Sequence, residues 1–177
     1  SPAPVDGYPP VQAQARLLAR AGFAVTLITT VRRGAEGIAF GQPGVDVITM
    51  RDPIGRFGGI RRLFSFVCTI NSARRNAPPL VEASYEPLAM LYSDLARHKP
   101  PHRIAHFHES LSMRRWIERR LRGTVGGFDT VVVPDAARGD ALVRQLRLRD
   151  APFVIPNYPL KESNPVRATN GATVEVV

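Results

Sequence analysis

Apolar positions along this chain fall into two alternating patterns: faces that recur at about 3.6-residue helical spacing, and short continuous β-branched runs. Val11 to Ala21 (VQAQARLLARA) places Val11, Ala15, Leu18 and Ala19 on one helical face, with Leu17 on its flank. Gly22 stands where a glycine that ends a helix belongs. Ala24 to Thr30 (AVTLITT) then reads as a mostly buried strand. Val45 to Met50 predicts a second strand. Ile60 to Ala73 predicts a helix carrying Ile60, Leu63, Phe64, Val67 and Ile70, stopped by Pro78 and Pro79. Four further strands are predicted at Leu80–Ala83, Arg103–Phe107, Thr130–Val133 and Phe153–Ile155. Helices at Pro87–Arg97, Ser112–Leu121 and Ala136–Leu146 separate them. Parallel strands need crossover helices, so this alternation predicts an α/β fold with a doubly wound, mostly parallel, Rossmann-like sheet and helices on both faces.

Composition bounds the possibilities. A length of 177 residues suits one ordinary domain, and 44% hydrophobic with 22% charged residues marks a globular chain rather than a disordered one. The apolar runs are too short to span a bilayer. Cys68 is the single cysteine, which excludes a disulfide framework and a cysteine-based zinc site; its apolar neighbours make it a core residue. Ser1 to Pro10 lacks the basic start and apolar run of a secretory signal, so a cytoplasmic location is expected. The net charge is +9, and Lys99 and Lys161 are the only lysines among 24 bases. Such arginine bias arises from a GC-rich genome, or it builds a basic face for phosphate, anionic lipid or nucleic acid.

The ends suggest a piece of a larger protein. The chain opens in a loop, Ser1 to Pro10, where a doubly wound domain would carry a strand. Asn164 to Gly171 has the composition of a linker, and Thr173 to Val177 (TVEVV) that of a strand. The expected division is a domain over residues 1–163 and, over 164–177, an interdomain linker with the start of a second domain.

Four segments carry a family resemblance. PPVQAQARLLARAGFAVTLITT resembles the first helix and second strand of family 4 glycosyltransferases with the GT-B fold. RIAHFHES resembles their strand and His-Glu loop, TVVVPDAARGDALVRQL their following strand, loop and helix, and VIPNYP the segment before their interdomain linker. The order and spacing are those of that family's N-terminal domain over most of Pro9 to Pro159. The resemblance implies one half of a two-domain enzyme with a cleft between Rossmann-like halves. This half would bind the acceptor, a sugar or a lipid-linked sugar. The other would bind a nucleotide-sugar donor through a Glu-x7-Glu motif, and transfer would proceed with retention and without a metal or other cofactor. The fragment alone would be inactive, since the donor would have no complete site.

Candidate site residues follow from placing these motifs at the carboxyl ends of parallel strands and at helix N-termini, where ligands sit in open α/β sheets. Gly7, ahead of the first helix, is the candidate phosphate-binding residue, although Pro9 and Pro10 replace the family's glycine pair and bring no N–H. Gln12 matches a position that touches the acceptor. His106 and His108 alternate on a strand and so share a face. His108 is the candidate catalytic residue: in the family the equivalent histidine lies near the transferred sugar, where imidazole can bond a hydroxyl or steady developing charge. A loop histidine satisfied by its surroundings is the structural alternative. Glu109 and Arg138 are candidate cleft residues, the latter for a phosphate. Glu82, Tyr85 and Glu86 sit at a strand-to-helix loop facing the presumed cleft, where they suit a cap or solvated loop; Asp135 suits a helix N-cap and Asn157 a turn.

Rival readings are weaker. His98, His102, His106 and His108 cluster within the sequence, but no cysteine is near and no H-E-x-x-H spacing exists, so no metal site is expected. Arg56–Arg75 and Ser112–Arg122 interleave arginine with Phe57, Phe64, Phe66 or Trp116, which suits an anionic membrane surface or a helix with one face in water. A non-catalytic basic α/β module for nucleic acid would explain the charge, yet the chain carries no RNP or helix-turn-helix signature. A dinucleotide enzyme lacks its G-x-G-x-x-G.

Overall fold

A computed structural model describes residues 7–31, 40–51, 58–108 and 115–156. In chain order the elements are α1 (Pro9–Arg20), β1 (Val25–Val31), β2 (Val45–Arg51), α2 (Gly58–Asn76), β3 (Val81–Ser84), α3 (Pro87–Leu95), β4 (His102–His106), α4 (Arg115–Val125), β5 (Thr130–Val133), α5 (Ala136–Leu146) and β6 (Phe153–Val154). Every strand pair is parallel, and the class is α/β as the alternation requires. The expected single sheet is divided: β1 pairs with β2, and β3-β4-β5-β6 form a separate four-stranded sheet.

Local chemistry sets the boundaries. Pro9 and Pro10 open α1, where missing N–H groups cost nothing. Gly22, at φ 88°, closes it, with Gly22 N–H on Ala19 O and Phe23 N–H on Leu18 O, the Schellman arrangement. Asp135 caps α5, its carboxylate accepting the Arg138 N–H at 2.8 Å, which bears out the N-cap assignment.

Helices cover both faces of β1–β2. Leu27, with Val25, Val45 and Val47, packs on Val11 and Ala15 of α1. Ile28 and Met50, one step out of phase, pack on Phe66 and Ile70 of α2 and on Tyr92 of α3. In the larger sheet Ala105, Val131 and Val133, with Phe107, meet Met90, Leu121, Val125, Leu142 and Leu146 of α3, α4 and α5. His106 and Val132 alternate to the opposite face, where α1 approaches. Shared helices therefore join the two sheets.

The register of α2 differs from the expected one. Phe66, Ile70 and Arg74 are its buried residues, whereas Ile60 and Phe64 are more than half exposed. Arg74 explains the rotation. Its guanidinium bonds both carboxylate oxygens of Glu82 at 2.9 Å, the Arg97 carbonyl at 2.8 Å and Ser93 Oγ at 3.0 Å, and Ser93 also donates to Glu82. This overturns the cap or solvated-loop role for Glu82, which is a partly buried counter-ion on β3. It also turns Cys68 outward, so the cysteine is exposed rather than core. The linker, Asn157 and the final TVEVV run lie outside the described residues.

Candidate functional site

Three segments converge beside α1 at the carboxyl ends of the larger sheet. Tyr85 directly follows β3, His106 closes β4 with His108 two residues on, and Asp135 and Arg138 follow β5 at the start of α5. The histidines share a face, as their alternation predicts: the rings stack with centroids 4.1 Å apart. Tyr85 lies nearly parallel to His108 at 5.5 Å and tilted to His106 at 5.4 Å. Gln14 of α1 ties the group together. The Tyr85 hydroxyl donates to Gln14 Oε1 at 2.7 Å, and Gln14 Nε2 lies 3.4 Å from His106 Nδ1. His106 Nε2 is buried and has no hydrogen-bond partner.

Burial dominates the electrostatics here. It pushes the Tyr85 hydroxyl up to about 12, so the phenol keeps its proton. It also lowers the His106 imidazole to about 3, with repulsion from a charged His108 adding in the same direction. At neutral pH His106 is uncharged. Tyr85, Gln14 and His106 are thus neutral donors and acceptors, set beside flat ring faces. Arg138, the cation beside it, donates from Nη1 to the His108 carbonyl at 2.8 Å and pairs with Asp135 through Nε at 3.3 Å.

The sequence-derived candidates separate at this point. His108 and Arg138 come together, through the His108 carbonyl. Glu109 lies outside the described residues. Gln12 is half-buried in the first turn of α1, its N–H on Tyr8 O, while the glutamine that reaches the histidines is Gln14. Gly7 is exposed ahead of α1. Pro9 and Pro10 have no N–H, and those of Val11 and Gln12 bond the Tyr8 carbonyl. Sequence reasoning missed Gln14 and the role of Tyr85. A signal for Gln14 existed: three residues after Val11, it belongs to the buried edge of α1.

The four histidines do not gather around a metal. His102 opens β4 and His106 closes it, which at about 3.3 Å per residue separates them by roughly 13 Å. Among the described residues no three His, Cys, Asp or Glu side chains are placed to hold an ion. A cavity of about 490 Å³ lies at the other, amino-terminal end of the strands, lined by Arg74, Arg75, His98, Lys99 and prolines. Its buried guanidinium is committed to Glu82, and it touches none of the candidate residues. No helix among the described residues is long and apolar enough to cross a membrane. Neither protein-family models nor curated proteins give a match to this chain.

Proposed function

We propose that this chain is the acceptor-binding half of a retaining GT-B glycosyltransferase similar to family 4, working with a donor-binding half that holds the nucleotide sugar. The observation that carries this reading is the stacked His106–His108 pair at the carboxyl end of β4, with Gln14 and Tyr85 against it and Arg138 on the His108 carbonyl. Parallel α/β sheets bind ligands at that end, and the resemblance of RIAHFHES to the family's His-Glu loop puts the sugar there. Flat rings and uncharged polar groups suit a carbohydrate, whose faces are apolar and whose edges are hydroxyls. In this scheme His108 meets a hydroxyl of the transferred sugar or eases charge developing near the anomeric carbon. Arg138 fixes the backbone that presents it.

The test takes the complete reading frame that contains this chain and measures sugar transfer from a panel of nucleotide-hexose donors to simple and lipid-linked sugar acceptors. His108→Ala is expected to lower turnover by about 100-fold, the scale of losing one transition-state hydrogen bond, while the fold survives. Unchanged turnover in that variant removes His108 from the site. Absence of both transfer and binding with every donor overturns the reading.

A second, compatible reading concerns α2. Ile60, Phe64 and Cys68 follow one another at four-residue spacing and are all exposed, beside exposed Arg61. An apolar stripe flanked by arginine suits an anionic lipid surface, which would bring a lipid-linked acceptor to the cleft.

A further inference from the structure

We infer that the His106 Nε2–H group is the donor to a hydroxyl oxygen of the bound sugar, and that Gln14 and Tyr85 are positioning residues that hold the imidazole in that tautomer. The nature of the ligand rests on the glycosyltransferase reading; the tautomer does not.

The chain of donors fixes the proton. The Tyr85 hydroxyl gives its hydrogen to Gln14 Oε1 at 2.7 Å. That turns the Gln14 amide so that Nε2 faces His106 Nδ1, 3.4 Å away. An amide nitrogen has only hydrogens to offer, so Nδ1 accepts, and the single proton of a neutral imidazole must sit on Nε2. His106 is 3% exposed, and Nε2 has no partner. A buried N–H without an acceptor is costly, and such an atom in a native fold calls for an explanation. A ligand oxygen supplies one.

The same geometry selects the class of oxygen. Tyr85 and His106 are both held neutral by burial, so neither brings charge to an anion. The guanidinium of Arg138 is engaged with Asp135 and the His108 carbonyl. Among the described residues a phosphate would lose its hydration shell here beside an arginine already engaged, whereas a hydroxyl oxygen needs one N–H donor and a flat apolar surface. The stacked rings of His106, His108 and Tyr85 provide that surface. The sequence singles out His106 and His108 together and makes His108 the catalytic candidate; the binding hydrogen bond goes to His106.

The test uses the full chain with labelled histidine nitrogens. Long-range proton–nitrogen spectra are expected to place the His106 proton on Nε2. Gln14→Leu should redistribute it toward Nδ1, and Tyr85→Phe should do so to a smaller extent. The backbone amide spectrum verifies that both variants fold. A merely structural role would lower their melting temperature and leave the tautomer unmoved, and that outcome overturns the positioning role. Titration follows with two probes, methyl α-glucoside and inorganic phosphate. The Nε2 resonance is expected to move with the glucoside and stay still with phosphate. A wild-type proton on Nδ1, a response to phosphate instead, or no response to either probe overturns the inference. The transfer assay is independent. A glucoside response without transfer keeps the sugar contact and removes the transferase; transfer with a silent Nε2 does the reverse.

Discussion

His106 sits between Gln14, Tyr85 and His108, and its depressed pKa makes the stability of the fold depend on pH. Above about pH 6.5 neither the folded nor the unfolded imidazole holds a second proton, and the contribution is complete. As pH falls, the unfolded chain takes up that proton and the folded chain does not. Stability is then lost at about 1.4 kcal/mol per pH unit, down to a folded value of about 3. Urea midpoints measured from about pH 7 to 4 should show this slope, reduced by one proton in His106→Gln. An equal slope in the variant would refute it. Arg74 gives a second prediction. Its side chain is 2% exposed and that of Glu82 19%, so Glu82→Leu leaves a buried guanidinium uncompensated and should cost about 3–5 kcal/mol. Adding Arg74→Met should restore most of that loss in denaturant melts; a double variant as unstable as the single would count against a desolvation origin. Neither role was legible beforehand, because partners eight residues apart in sequence, Arg74 and Glu82, meet only once α2 has turned back onto β3.

The elements show where local chemistry suffices. Asp135 takes extended backbone geometry and accepts the Arg138 N–H, so Asp135→Ala should cost about 1 kcal/mol and Asp135→Ser much less. At the other end of α5, Arg147 is held at φ 56°, a left-handed position that favours glycine. Arg147→Gly should therefore raise stability by up to about 1 kcal/mol in thermal melts. Unfolding in which Asp135→Ala is neutral, or Arg147→Gly destabilising, would contradict these assignments. Cap residues are readable from sequence because their bonds span only a few residues. The face of α2 was not, because two stripes compete at helical spacing. One runs through Ile60 and Phe64, the other through Phe66, Ile70 and Arg74. The second is buried since Glu82 and Ser93 receive the Arg74 guanidinium there.

For the whole molecule, the stripe that α2 leaves exposed carries the prediction. Phe64→Glu should abolish sedimentation with vesicles rich in anionic lipid, and wild-type binding should weaken as salt screens the +9 charge. Unchanged sedimentation of the variant would remove α2 as a lipid-facing surface. Salt-sensitive binding to DNA or RNA in preference to vesicles would move the basic charge to a nucleic-acid role. The two sheets also belong to this scale. Among the described residues all strand pairs are parallel and the helices are shared, with α1 and α2 on opposite faces of β1–β2 and α3, α4 and α5 gathered on one face of β3-β4-β5-β6.

The sequence by itself determined the order of elements, the parallel class, the cap at Asp135, the glycine turn at Gly22 and the shared face of His106 and His108. Each depends on periodicity or on bonds between near neighbours, which the chain writes locally. Tertiary structure decided the division into two sheets, the inward turn of Arg74, the exposure of Cys68 and the meeting of Gln14 with Tyr85 and His106. The Gln14 contacts join residues 71 and 92 positions apart, and like the others their geometry exists only after the helices have packed.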